Sequence, residues 1–270
     1  MTRPAHLPDY KKPPLNEVVL DVQFSPIPGY KLIHSGEIWS LFRERFSEIQ
    51  EHPPIPPAFE TFGPQEPSRP GLEFVHGPIH PRFWFVEPGE TELIQFQPDR
   101  LIHNWRNLGK GAGKYPHYEH IASEFDEELR QLDSYFYSKF SQKLNFNQCE
   151  IGYINHIEFD EDWSTDSPKE IFRLLHFEER DQVTDFSLSF RRVIKSENGE
   201  PYARLVVDIR KAVAGQSKPT FLAHIRVRGL PERATIPGVL EFMAKGRELI
   251  VNTFTDITTK KAHKRWERIN

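Results

Sequence analysis

The sequence predicts an α+β fold made of two strand-helix-antiparallel-meander-long-helix halves, with helices covering one face of the sheets. Three observations predict it. Period-2 alternation recurs in short runs, most clearly in Leu93 to Gln97, where Gln95 and Gln97 share one face and Ile94 and Phe96 the other. Turn residues at Pro88-Gly89, Pro98-Asp99 and Asn198-Gly199 fold such runs into hairpins. Two long apolar stripes at helical spacing then need a sheet face to cover.

Taken in order, Met1 to Pro14 is a proline- and charge-rich arm without regular structure. Glu17 to Phe24 is the first strand, with Val18, Leu20, Val22 and Phe24 on one face. A helix begins near Ser35, a good N-cap, and carries Ile38, Trp39, Phe42, Phe46 and Ile49 at its spacing. His52 to Gly71 is dense in proline and reads as a polyproline-like connection docked through Ile55, Phe59 and Phe62. Leu72 to His76, Arg82 to Glu87, Leu93 to Gln97 and Arg100 to Arg106 form a meander, its first turn at Gly77-Pro78. Leu108 to Lys114 is a glycine- and lysine-containing loop that lacks the Gly-Lys-Ser/Thr ending of a phosphate loop. Tyr118, Ile121, Ala122, Phe125, Leu129, Leu132, Phe136 and Phe140 mark a long helix.

The second half repeats the element order. Ile151 to Phe159 is a strand, and the capping box Ser167-Pro168-Lys169-Glu170 opens a short helix through Ile171, Leu174 and Leu175. Thr184 to Lys195, Tyr202 to Lys211 and Thr220 to Gly229 are strands. The last helix runs from about Pro237 to Thr259, and Lys260 to Arg268 forms a basic, frayed tail. The halves fall at 1–145 and 146–270, with one compact domain as the alternative. The order matches folds built from a strand-helix-meander-helix unit repeated twice, such as that of the TATA-binding protein, an analogy of fold alone.

Composition narrows the function classes. The 270 residues are 37% hydrophobic and 27% charged, the balance of a globular chain. A net charge of -4 argues against a chain-wide grip on nucleic acid. The single cysteine, Cys149, excludes an internal disulfide or a cysteine-rich zinc site and reads as a small buried residue. No apolar run has the length of a membrane helix and no signal peptide is evident, so a cytoplasmic protein is expected.

Two sets of residues stand out. The hairpin from Glu92 to Asn107 holds Gln95, Gln97, Asp99, Arg100, Asn104, Trp105 and Arg106. They form either a partner- or ligand-binding surface or a satisfied polar network that fixes strand register. Arg191, Arg204, Arg210, His224, Arg226 and Arg228 fall on the polar faces of the later strands. They make either a solvated sheet face with cross-strand ion pairs or a surface for anions and nucleic acid. His117 and His120 lack a third ligand, and Asp160-Glu161-Asp162 with Asp166 lacks a calcium-loop pattern, so no metal is expected. No hydrolase, zinc-protease or dinucleotide fingerprint occurs; no catalytic residue and no cofactor are predicted.

Several segments together carry a resemblance: Pro14-Leu15-Asn16-Glu17-Val18-Val19, Arg82-Phe83-Trp84-Phe85, Leu93-Ile94-Gln95-Phe96-Gln97 with Asp99-Arg100, Asn104-Trp105-Arg106, Tyr115-Pro116 with Tyr118-Glu119, and Gly152-Tyr153-Ile154-Asn155-His156. On these the chain resembles a sporadically distributed family of uncharacterised bacterial proteins of about this length. The resemblance implies no activity and no site. The scattered distribution of the family is typical of mobile or phage-defence-linked genes, which implies an accessory, partner-binding role. The leading reading is therefore a non-enzymatic interaction protein. Nucleic-acid or anion binding through the basic face is an alternative, as is a small-molecule or enzyme site between helices and sheet.

Overall fold

Strand alternation decides which side of the sheet each residue joins. The computed structural model describes residues 4–63, 80–108, 115–159, 168–174, 185–214 and 218–270. The expected strand Leu72 to His76, the Gly77-Pro78 turn, residues 109–114 of the glycine loop and the acidic run from Asp160 lie outside the described residues, as do Ser167 and Leu175. The strands are β1 (Leu15–Phe24), β2 (Glu48–His52), β3 (Arg82–Val86), β4 (Glu92–Gln97), β5 (Arg100–Arg106), β6 (Phe146–Glu158), β7 (Ser187–Lys195), β8 (Pro201–Ala214) and β9 (Lys218–Gly229). The helices are α1 (Ser35–Phe42), α2 (Tyr118–Phe140), α3 (Ile236–Ile257) and α4 (Lys260–Arg265). The fold is α+β, with the nine strands in one antiparallel sheet ordered β2-β3-β4-β5-β1-β6-β9-β8-β7.

Because β1 pairs with β5 on one side and β6 on the other, one ladder runs across the whole sheet. His103, Leu20, Ile151, Val227 and Leu205 stand in a single row on one face. Their neighbours Ile102, Asp21, Glu150, Arg228 and Arg204 make the matching row on the other. Helix α2 reaches the first row through Glu128, which bonds His103, and buries Phe125, Leu129, Leu132 and Phe136 completely. Each such side chain contributes roughly 1.5–3 kcal/mol on leaving water. Helix α3 reaches the same row at Gly246, where an added Cβ would lie 2.5 Å from Ile151 Cγ2. Only glycine permits that approach.

Four expectations need correction. Helix α1 stops at Phe42, and Ile49, expected on it, lies in β2 opposite Phe85. Phe46 instead turns back into the core, its N–H bonded to the Phe42 carbonyl. The segment Glu-Ile-Gln-Glu-His is too polar to announce a strand, but β2 is an edge, where charge is an advantage. The short helix after Pro168 is a single 3-10 turn, Pro168–Glu170, because the following backbone pairs elsewhere. Arg173 N–H donates to Ile257 O, and Thr259 N–H donates to Ile171 O.

The C-terminal tail is not frayed: Thr259 caps α4 by accepting from Ala262 N–H, and Trp266 is buried. That tail also orders the N-terminal arm. Lys11 and Lys12 N–H groups donate to Glu267 and Trp266 carbonyls, and Ile269 N–H donates to Asp9 O. Among the described residues no helix is long and apolar enough to cross a membrane.

Candidate functional site

The two residue sets singled out in the sequence lie on one face. Gln95 is joined through Ile102, Asp21 and Glu150 to Arg228 and Arg204 by successive strand pairs, so hairpin and basic strands form one polar surface opposite α2 and α3. On that surface Arg82 donates to Gln95 Oε1 at 2.5 Å, Gln95 to Asn104 Oδ1 at 2.7 Å, and Asn104 to Glu17 at 2.6 Å. This relay crosses four strands and fixes their register. Arg106 donates to Glu90 O, and with Arg82 it lies over the Trp84 ring, each guanidinium 5.6 Å from the centroid. Gln97, Arg100 and Asp99 turn elsewhere: Gln97 donates to Asp99 and meets Ile55, and Arg100 bonds Asp21, Gln23 and Pro56 O. Trp105 does not join them, since alternation sends it to the opposite face.

Half of the basic set is paired with carboxylates. Arg204 meets Glu60 at 2.7 Å, Arg226 meets Asp208 at 3.2 Å, and Arg228 meets Glu150 at 2.5 Å. Burial, followed by Arg226, pushes His224 down to about 4, so it is neutral at pH 7. Arg191 and Arg210 are exposed and have no carboxylate partner among the described residues.

On the helix side lies a charged cluster that the sequence reading missed. His103, fully enclosed, bonds Glu128 at 2.9 Å through Nδ1, and its Nε2 is 3.5 Å from Glu92. Arg45 bonds both Glu92 and Glu124. Burial opposes a charged imidazole, but Glu128 and Glu92 outweigh it and push His103 up to about 9. His103 is thus an imidazolium held between carboxylates. No group of three or more metal-ligating side chains occurs among the described residues.

Beyond the Trp105 end of this face is a cavity of about 490 Å³, a size suited to a small molecule. Its walls come from the arm (Tyr10, Lys11), β1 (Leu15), β5 and its exit (Trp105, Asn107), β6 (Tyr153, Asn155) and α3 (Arg247, Ile250, Phe254), closed by Tyr115 and His117 ahead of α2. The rings are grouped: Trp105 and Tyr115 lie 5.0 Å apart, and Tyr115 and Tyr153 hydroxyls are 3.4 Å apart. Burial pushes the Tyr115 and Tyr118 hydroxyls up, so both remain protonated donors at neutral pH. The Trp105 Nε1–H and the Tyr118 hydroxyl are buried and lack a partner among the described residues. Arg247 sits over the Tyr118 ring at 4.7 Å and pairs with Glu119 at 2.9 Å. His117 adopts φ 68° and ψ 153°, a conformation a residue with a Cβ pays to hold and one that gathers at functional sites.

Sequence reasoning placed Trp105 in the hairpin set and Tyr118 on the α2 stripe, and it did not bring Tyr10, Tyr115 and Tyr153 together with them. No family model, curated protein or solved structure matches this chain.

Proposed function

We propose that the protein is a non-catalytic accessory protein that binds a flat, ring-bearing small molecule in the cavity between the N-terminal arm, the sheet and α3. The carrying observation is the group of rings, Tyr10, Trp105, Tyr115 and Tyr153, around a volume of about 490 Å³. A cavity of this size, walled by rings and a few polar groups, suits a small ring-bearing ligand. Further support comes from the segments on which the family resemblance rests: Leu15, Trp105, Tyr115, Tyr153 and Asn155 belong to four different ones and meet only here. The strained His117 at the rim points the same way. The two halves, with β1 and β6 side by side in the sheet and helices on one face, would make the cavity a feature of the seam between them.

The test is a thermal-shift screen of nucleobases, nucleosides and aromatic acids. A compound at a hundred times its Kd stabilises by roughly 2.7 kcal/mol, an easily measured rise in Tm. Val251→Trp, on the α3 wall, fills the cavity and is expected to abolish that rise while the protein stays folded. A screen with no ring-bearing hit, or a rise that survives Val251→Trp, sinks the reading.

A further inference from the structure

The polar face carries a ligand-like contact made by the chain itself. After β2 the chain runs His52-Pro-Pro-Ile55-Pro-Pro-Ala58-Phe-Glu60-Thr61. Proline fixes φ and excludes the residue before it from helical backbone, so this stretch is held near polyproline II geometry. Prolines at 53, 54, 56 and 57 have no N–H, so from Pro53 to Ala58 the N–H donors are those of Ile55 and Ala58, three residues apart and on the same side of a three-fold helix.

Each of those two residues meets a glutamine side chain from the sheet in the same way. Gln97 Oε1 accepts from Ile55 N–H at 3.0 Å, and its Nε2 donates to Ile55 O at 2.9 Å. Gln23 Oε1 accepts from Ala58 N–H at 2.9 Å, and its Nε2 donates to Ala58 O at 2.7 Å. Between them Arg100 donates to Pro56 O at 3.2 Å. Beyond them Gln148 accepts from Glu60 N–H at 3.3 Å, and Arg204 takes the Glu60 carboxylate at 2.7 Å and Thr61 O at 3.0 Å. The strap therefore crosses β4, β5, β1 and β6 in sheet order, with contacts at Ile55, Ala58 and Thr61 repeating every third residue.

The match is metric. Three polyproline II residues advance ~9.3 Å, and two strand spacings are ~9.6 Å. Gln97 and Gln23 stand two strands apart, which puts one glutamine under each N–H. A glutamine amide that both accepts and donates to one residue reads backbone and is blind to side-chain identity. What it selects is a chain with an N–H at every third position. The strap's outward side chains add little burial, Phe59 being 56% exposed, so hydrogen bonds rather than apolar contact hold it.

We propose that this face is a reader of proline-rich extended chain, and that it takes in trans a partner protein's segment of the form x-Pro-Pro-x followed by an acidic residue, the strap being its resident competitor. Charge argues for a partner segment: Arg204 already takes a carboxylate, and on the next strand Arg191 is exposed on the same face with none among the described residues. A partner whose acidic stretch continues past that point gains a contact the strap does not make within its described residues.

The experiment uses a fluorescently labelled peptide with the sequence of residues 52–62 and the full chain. Ile55→Pro with Ala58→Pro puts a ring carbon where each glutamine oxygen sits and frees the face without altering it. The tethered strap competes at an effective concentration on the order of millimolar. The double variant is therefore expected to bind the peptide at least tenfold more tightly than the wild-type chain. Adding Gln23→Glu and Gln97→Glu removes both carbonyl-directed donors and is expected to return binding to the wild-type level or below. A peptide with proline at the positions of Ile55 and Ala58 is expected to bind at least tenfold more weakly. Equal affinity across all proteins, or a folded double variant with no binding up to millimolar peptide, overturns the proposal.

Should that variant fail to fold, hydrogen exchange at the Ile55 and Ala58 amides of the wild-type chain decides instead. Saturating peptide is expected to speed both at least threefold, and unchanged exchange means the strap is a fixed part of the fold. A dimer of the wild-type chain that forms with rising concentration and is dispersed by the peptide would reassign the face to a second copy and overturn the partner.

Discussion

On the helix side of the sheet, His103 is fully enclosed between Glu128 and Glu92, whereas on the opposite face His224 is half-buried beside Arg226 and Arg228. The same residue type is driven in opposite directions, up to about 9 in the first case and down to about 4 in the second. The difference lies in what each face can offer a polar group. Under α2 no water competes, so charge must be met by charge from within the fold. On the other face the strap's peptide groups and cross-strand carboxylates share the bonding, and Gln23, Gln97 and Arg100 are buried beneath the strap. One face thus meets an enclosed charge with charge, and the other holds a segment of chain through hydrogen bonds beside partly exposed ion pairs.

The sharpest way to break that comparison is to remove the enclosed imidazolium. His103→Leu strands the buried Glu128 carboxylate without its counter-charge, while Glu92 keeps Arg45, and breaking a buried pair in this way costs about 3–5 kcal/mol. Urea unfolding should show the loss as a lower midpoint with an unchanged slope. The double change His103→Leu and Glu128→Leu should recover a large part of it. Equal destabilisation by the single and double changes would mean that the pair is not coupled.

Next in size is the response to pH, where the two histidines have opposite signs. The folded value of His103 lies above its unfolded value of about 6.5, so its contribution is complete below that pH and fades as pH rises toward about 9. The folded value of His224 lies below, so stability is complete above about 6.5 and fades as pH falls toward about 4, the unfolded chain taking the proton first. Each limb is expected to cost about 1–3 kcal/mol, with maximum stability near neutrality. His103→Leu should flatten only the alkaline limb and His224→Leu only the acid one, as followed by Tm across the range.

Local chemistry made much of this architecture legible and left the joins hidden. The alternation of Ile94 and Phe96 against Gln95 and Gln97, and the stripe from Tyr118 to Phe136, each state a face without help from the rest of the chain. That β1 would pair with both β5 and β6, placing Gln95 and Arg228 on one surface, depends on contacts up to 140 residues apart, and no local pattern records them. The cavity was hidden for a related reason: its aromatic walls are the residue types that cores use, and only their convergence sets them apart. The strap was different. The spacing that sets Ile55 between two proline pairs and Ala58 just after the second is visible in the sequence, and its meaning needed only the strand spacing to match it.

The smallest expected effect tests the opposite face on its own terms. Arg228 and Glu150 meet at 2.5 Å across β9 and β6, but 29% of the arginine side chain and 14% of the carboxylate's remain open to solvent. A pair so placed gains modest Coulomb energy, loses side-chain freedom and is screened by salt, which limits it to about 0–1 kcal/mol. Arg228→Ala should therefore shift the unfolding midpoint only slightly, and the shift should shrink further in 1 M salt. The Glu150 carboxylate it leaves behind stays partly hydrated, unlike Glu128 after loss of His103. If Arg228→Ala instead costs as much as His103→Leu and ignores salt, the two faces do not differ in the way argued, and the polar surface holds the fold together no less than the enclosed one does.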